Sequence, residues 1–183
     1  MQEARIHGLG GQGVVLTAHL VGGAAVRAGK WGLSFPFFST AIRGGLVTAF
    51  LRIDDAPVDL RCYIYEPRFL VAFDVSLLDL DEVVAGLQPD AKVLVNSPGM
   101  PTRLPPGFQG TVYALKADEI AKETLGRPIL STVMAGAMAK VLGGVPLDHL
   151  LKSIEEGFSA RLVPANLKAA EAGFARVESV NGS

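Results

Sequence analysis

A strand-forming N-terminus that enters a glycine-rich turn, an apolar helix directly after it, and short continuous apolar runs separated by helical segments predict an α/β fold. The expected architecture is three-layer αβα. It is built on a doubly wound, Rossmann-like sheet that is mostly parallel, with mixed pairing allowed, and is covered on both faces.

Residues 3–7 predict the first strand, with Ala4 and Ile6 alternating, and lead straight into Gly8-Leu9-Gly10-Gly11-Gln12-Gly13. Residues 13–28 suit a helix and are apolar almost all round, and Gly29-Lys30 supplies a C-terminal stop. A helix without a polar face is buried on more than one side. Residues 33–38 form an aromatic-rich segment around Pro36, and a polar, Gly-containing loop follows through Gly45. Residues 46–53 predict a strand closed by the turn-like Asp54-Asp55. Residues 60–65 and 69–73 predict two more, the second a continuous apolar run of the kind a covered sheet interior needs.

Asp79 and Glu82 stand at capping-box spacing for a short helix to Leu87. Residues 92–95 and 111–115 again predict strands, joined by a Pro- and Gly-rich connection. Residues 117–125 predict a helix with Asp118 and Glu119 at its N-terminus and an i,i+4 pair between Asp118 and Lys122. Residues 129–142, 147–158 and 164–177 complete the chain as helices, with Pro146 and Pro164 near first turns. A single domain over residues 1–178 and a frayed tail over 179–183 are expected, with no repeat or linker.

Hydrophobic residues make up 49% of the 183-residue chain before its 21 glycines are added. The apolar share therefore exceeds the roughly 45–50%, glycine included, of an ordinary soluble domain. Such a chain fills a core and retains apolar surface for a partner, and disorder is excluded. With a net charge of −1 it is not a nucleic-acid binder. The best membrane candidate, residues 14–26, is too short to cross a bilayer, and no basic segment followed by an apolar stretch precedes it; a cytoplasmic protein is expected.

The charge is unevenly spread: residues 1–53 hold Arg5, Arg27, Lys30, Arg43 and Arg52 against Glu3 alone. A basic N-terminal third points to an anionic ligand or an acidic partner surface, and equally to clustering in a charge-poor buried segment. Cys62, the only cysteine, cannot make an internal disulfide, a zinc site or a cluster nest; in its predicted strand it reads as buried filler. His7, His19 and His149 show no metal spacing, and His19 reads as a packed helix residue.

The strand, glycine turn and helix form a candidate anion cradle, because glycines admit close backbone approach and a helix N-terminus presents unpaired N–H groups. The same glycines also suit close packing of strand on helix. Gly-x-Gly-x-x-Gly is met by Gly8, Gly10 and Gly13, but the acid that NAD enzymes place about 20 residues later is missing; the first after the turn is Asp54. Arg27 and Lys30 leave room for a phosphate-bearing ligand. Arg43, flanked by Gly44 and Gly45, is a candidate carboxylate or phosphate clamp, or one half of an inter-subunit ion pair. The aromatic run at 35–38 reads as core or interface. Asp74 and Asn96 follow apolar runs where crevice residues stand, and where helix caps stand too.

These residues resemble a known family. Ile6-His7-Gly8-Leu9-Gly10-Gly11-Gln12-Gly13-Val14-Val15, Gly29-Lys30, Phe35-Pro36, Arg43-Gly44 and Phe50-Leu51-Arg52-Ile53-Asp54-Asp55-Ala56-Pro57-Val58 are similar to the gamma subunit of 2-oxoacid:ferredoxin oxidoreductases, of the pyruvate/2-oxoisovalerate branch. Ile64-Tyr65-Glu66-Pro67, Asp74-Val75-Ser76-Leu77-Leu78, Val95-Asn96-Ser97-Pro98 and Met134-Ala135-Gly136-Ala137 extend the likeness over nearly the whole chain. The chain departs from the family in the loop before Arg43, where Phe37, Ser39 and Thr40-Ala41 replace a more polar pattern, and at Ser131-Thr132, where an Asn is common.

The resemblance implies a subunit of an oxidoreductase that is inactive alone. The complex would cleave pyruvate or a related 2-oxoacid on thiamine diphosphate, pass electrons through iron–sulfur clusters to ferredoxin, and hand the acyl group to coenzyme A. Alpha, beta and delta chains would carry the thiamine diphosphate and the clusters, in keeping with the single Cys and the lack of a Gly-Asp-Gly motif here. Gly8, Gly10, Gly11 and Gly13 would give backbone approach to coenzyme A phosphates, Gln12 a neutral contact, and Arg43 with Gly44 a clamp; Asn96 would stand in the same crevice. The rivals are a pure scaffold and an autonomous NADP- or flavin-dependent reductase. Produced alone, the chain would self-associate.

Overall fold

The computed structural model describes residues 1–38, 45–101 and 103–180. In chain order the elements are β1 (Gln2–Leu9), α1 (Val14–Arg27), β2 (Trp31–Phe38), β3 (Leu46–Asp54), β4 (Phe69–Ala72), α2 (Asp81–Val84), β5 (Lys92–Asn96), β6 (Thr111–Leu115), α3 (Ala117–Leu125), α4 (Ser131–Leu142), α5 (Leu147–Gly157), α6 (Val163–Arg176) and β7 (Glu178–Ser179). The seven strands form one sheet in the order β2-β3-β1-β4-β5-β6-β7. β1, β4, β5 and β6 are parallel. The β2–β3 hairpin is antiparallel and joins antiparallel to β1, with Leu9 opposite Leu46. The α/β, three-layer expectation is met with a mixed sheet.

Alternation assigns each strand residue to a face. Ala4 and Ile6, Ala49, Leu51 and Ile53, Val71 and Leu94 join the larger core with α1, α3, α4, α5 and α6. Leu70, Ala72, Val93, Val95, Val112 and Ala114 point the other way, under Leu77 and Leu78 of a 3-10 turn (Val75–Asp79) and Val83 of α2. The second layer is therefore thin.

Helix α4 lies at the centre of the thick layer, buried along its length apart from Lys140. It meets α6 at backbone distance: a Cβ on Gly136 would stand 1.9 Å from the Ala170 carbonyl oxygen, and one on Gly173 would stand 2.0 Å from that of Val133. Only glycine lets two helices approach so closely.

Four local expectations are corrected. Residues 33–38, read as an aromatic-rich segment around Pro36 with no strand assigned, belong to edge strand β2, where proline is tolerated. Residues 60–65, read as a strand, join no ladder and form an irregular strap bonded to Arg5 of β1 and Arg52 of β3. The helix to Leu87 shrinks to α2; Asp79 ends the 3-10 turn instead of capping, and Gly86 turns the chain at φ +70° against the Tyr65 carbonyl. Asp118 accepts from Asn96 at 2.6 Å, and the ion pair at the start of α3 is Lys116 with Glu119. At the C-terminus, Ser179, the first residue expected to fray, pairs with Tyr113, while residues 181–183 fall outside the described chain.

Candidate functional site

The glycine turn sits at the carboxyl edge of the parallel strands, where β1 hands over to α1. Gly11 and Gly13 have φ values of 97° and 90°, which other residues rarely adopt. The Gln12 side-chain oxygen closes the turn by accepting from the Leu9 N–H at 2.7 Å. Gly13 caps α1 without a side-chain bond, and no acidic residue occupies the first turn of that helix.

The glycines divide by role. A Cβ on Gly8 would stand 2.4 Å from Val14 Cγ2, and one on Gly13 would stand 2.7 Å from Ser131 Cβ. Thr17 seals that junction with its single hydroxyl proton, shared between the carbonyls of Gly13 and Ser131. Gly8 and Gly13 are thus required by packing. Gly10 and Gly11 are exposed, and a Cβ on Gly11 would meet nothing within 4 Å. The open side of the turn is backbone, and the Gly10 N–H donates to the Gly45 carbonyl.

The other predicted site residues are distributed differently. Arg43 and Gly44 lie outside the described residues. Asn96 is buried and donates to the Phe73 carbonyl and the Asp118 carboxylate, while its oxygen accepts from the Ala117 N–H. With both donors engaged, it ties the ends of β4 and β5 to the start of α3. Asp74 caps the 3-10 turn through Ser76. Neither carboxylate bonds to the glycine turn.

Among the described residues, the basic side chains of the N-terminal third are each engaged by the protein itself. Arg27 pairs with Glu156 and Lys30 with Asp55. Arg52, fully buried, donates to Glu3 at 2.7 Å and to the carbonyls of Leu60 and Cys62. Arg5 donates to the carbonyls of Ile64, Tyr65, Val83 and Ala85 and, through Nε, to His7 Nε2 at 3.1 Å. Two buried guanidiniums therefore supply the hydrogen bonds that a ladder would have given the 60–65 strap. Cys62 rides exposed on that strap, and His19 is exposed on α1, both contrary to expectation.

Burial lowers the Arg5 pKa to about 10, and burial together with the Arg5 charge lowers that of His7 to about 3. Sequence reasoning missed this buried Arg5–His7 pair. The available signal was two polar residues alternating with Ala4 and Ile6 in a strand whose other face is core.

The autonomous-reductase reading loses its phosphate contacts, since Arg27 and Lys30 are engaged, and the strand beside β1 is antiparallel β3 rather than the parallel second strand of a dinucleotide fold. No group of His, Cys, Asp or Glu among the described residues could hold a metal ion, and none of the described helices is long and apolar enough to cross a membrane.

Residues 3–176 match the family model described as pyruvate ferredoxin/flavodoxin oxidoreductase. The chain is 42% identical over 177 residues to the pyruvate/ketoisovalerate oxidoreductases common subunit gamma of Thermococcus kodakarensis, covering 95% of this chain and 96% of that one. The crystal structure of pyruvate oxidoreductase subunit PORC from Thermotoga maritima superimposes with a TM-score of 0.84 at 32% identity, over 97% of each chain. The 2-oxoglutarate:ferredoxin oxidoreductase of Magnetococcus marinus, solved with 2-oxoglutarate, coenzyme A and succinyl-CoA bound, shares the fold at a TM-score of 0.78 and 21% identity; this chain spans 30% of that longer one.

Proposed function

The chain belongs to the pyruvate ferredoxin/flavodoxin oxidoreductase family, as a gamma subunit of a 2-oxoacid:ferredoxin oxidoreductase, and from that premise we propose that its glycine turn faces the coenzyme A of the assembled enzyme. Pyruvate or a close 2-oxoacid is the substrate and ferredoxin the acceptor. Thiamine diphosphate and iron–sulfur clusters, which supply the decarboxylation and electron-transfer chemistry, belong to the alpha, beta and delta chains. The complex works in the cytoplasm. This chain's part is to present backbone N–H groups and the N-terminus of α1 to phosphate, and Arg43 with Gly44 is the charge clamp of this reading.

The observation that carries this reading is the open, side-chain-free surface at Gly11, beside exposed Gly10, at a helix N-terminus without a carboxylate in its first turn. The scaffold reading draws on a different one: packing accounts for Gly8, and packing with a positive φ accounts for Gly13, without any ligand.

Gly11→Asp against Gly11→Asn separates the two, because Asp and Asn tolerate positive φ comparably and differ in charge. In the reconstituted complex, the Asp variant is expected to raise the KM for coenzyme A about tenfold over the Asn variant, leaving that for the 2-oxoacid unchanged. Equal KM values for coenzyme A would leave the scaffold reading standing. Arg43→Ala is expected to act in the same direction without impairing assembly.

A further inference from the structure

On the sheet face opposite α1, a cleft of about 210 Å³ opens between the strap and the β1–β3 pair. Its floor is polar and nearly closed to solvent: Arg5, His7 and Thr48 are each more than nine-tenths buried. Its walls are aromatic. Tyr63 stacks on Phe50 with centroids 5.2 Å apart and meets Phe37 edge-on at 5.0 Å. Glu82 stands exposed at the rim, without an ion-pair partner among the described residues.

The floor is a hydrogen-bond relay with one fixed direction. A guanidinium only donates, so His7 Nε2, which receives the Arg5 Nε–H, must be the bare nitrogen of a neutral ring. The proton is then on Nδ1, which lies 3.1 Å from Thr48 Oγ1 and donates to it. The Thr48 hydroxyl proton cannot point back at that N–H, and no other acceptor for it is found among the described residues. It is left as a donor facing the cleft. Behind it stands the Arg5 charge, which carbonyls solvate but no carboxylate neutralises. Glu82 acts through water and is screened, whereas the Arg5 field is not, so the potential at the floor is positive.

We propose that this cleft binds a small planar monocarboxylate, such as an aryl carboxylate, whose carboxylate accepts from the Thr48 hydroxyl while its plane packs among Phe37, Phe50 and Tyr63. The aromatic walls alone would suit a cation equally well, particularly with Glu82 at the rim; the direction of the relay and the uncompensated guanidinium select an anion. The inference is independent of what the glycine turn holds, because the cleft lies on the other face of β1.

The test uses benzoate, benzyl alcohol and benzylammonium as probes, titrated into the 183-residue chain and followed through backbone amide resonances. Benzoate should move the amides of Thr48 and Tyr63 and bind about tenfold more tightly than benzyl alcohol, with benzylammonium weakest. Thr48→Val should weaken benzoate about tenfold, and Thr48→Ser should restore it. Benzylammonium binding as well as benzoate, benzoate leaving those amides unmoved, or Thr48→Val binding benzoate like the parent would each overturn the proposal. If the valine variant does not fold, the three probes on the parent chain decide the matter.

Discussion

On the face of the sheet that meets α1 and α4, the covering residues are almost entirely hydrocarbon, and glycines let helix backbones touch. On the opposite face of β1 and β3, Arg5, His7, Thr48 and Arg52 lie buried beneath a strap that has no helical or ladder bonds of its own. Burial on the first face is stabilised by apolar area, which is additive and tolerant of conservative exchange. Burial on the second depends on a few charged groups whose donors must all find acceptors. The same seven-stranded sheet thus carries one side built to be stable and one side whose unused polarity can serve a ligand or a partner.

This contrast breaks most readily at Arg5. Exchanging it for Met keeps most of the volume but leaves four carbonyls, those of Ile64, Tyr65, Val83 and Ala85, without their donor. Water reaches some of them, so the expected loss is on the order of 3 kcal/mol rather than the full sum. Urea denaturation measures it, and protease cleavage within 60–65 should appear well below the global transition. A loss under about 1 kcal/mol would mean that the strap is held by its aromatic contacts and not by the guanidinium.

His7 gives a smaller, pH-tuned version of the same test. Its pKa in the fold is about 3 against 6.5 for a free imidazole. Between those values the unfolded chain takes up a proton that the folded chain refuses, so stability is whole above about pH 6.5 and declines as pH falls toward 3. From pH 7 to pH 5 the loss attributable to this one ring is about 2 kcal/mol. It is read as the difference between the parent and His7→Gln, which keeps an acceptor for Arg5 and a donor for Thr48. Parallel stability curves for the two proteins would show that the ring charges without cost and that the relay is not closed.

These two faces were not equally legible in the sequence. The helix side followed from local pattern: the apolar run at 69–73, the predominantly apolar residues 13–28 and the glycine turn each fold as their own composition dictates. The strap side did not. Residues 60–65 carry a strand's composition, and only Arg5 and Arg52, distant in sequence, decide that their carbonyls bond to side chains instead of a neighbouring strand. The site was half legible for the same reason. Gly11 was identifiable as an open turn position, whereas the uneven charge suggested an anion surface that the fold consumes: of the five basic residues up to Arg52, the four described are all engaged. Asn96 likewise stood where a crevice residue belongs and proved to be the tie between two strand ends and a helix.

Lys30 offers the mildest comparison, and it isolates environment from charge. It carries the same unit charge as Arg5, but on the helix side, where it reaches Asp55 at 2.5 Å across open surface; the Asp55 side chain is 85% exposed. An ion pair there gains little in high dielectric and costs side-chain freedom, so Lys30→Gln should lower stability by only about 0.5 kcal/mol. That small loss should vanish in about 0.5 M salt, since counterions screen exposed charges within a few ångströms. The Arg5→Met loss should persist in the same salt, because its partners are neutral carbonyls away from the ions. Measuring both variants at low and high salt therefore asks whether the two faces differ in kind. Two losses that shrink together on adding salt would show that the strap face is an ordinary wet surface and that its buried relay does not exist in solution.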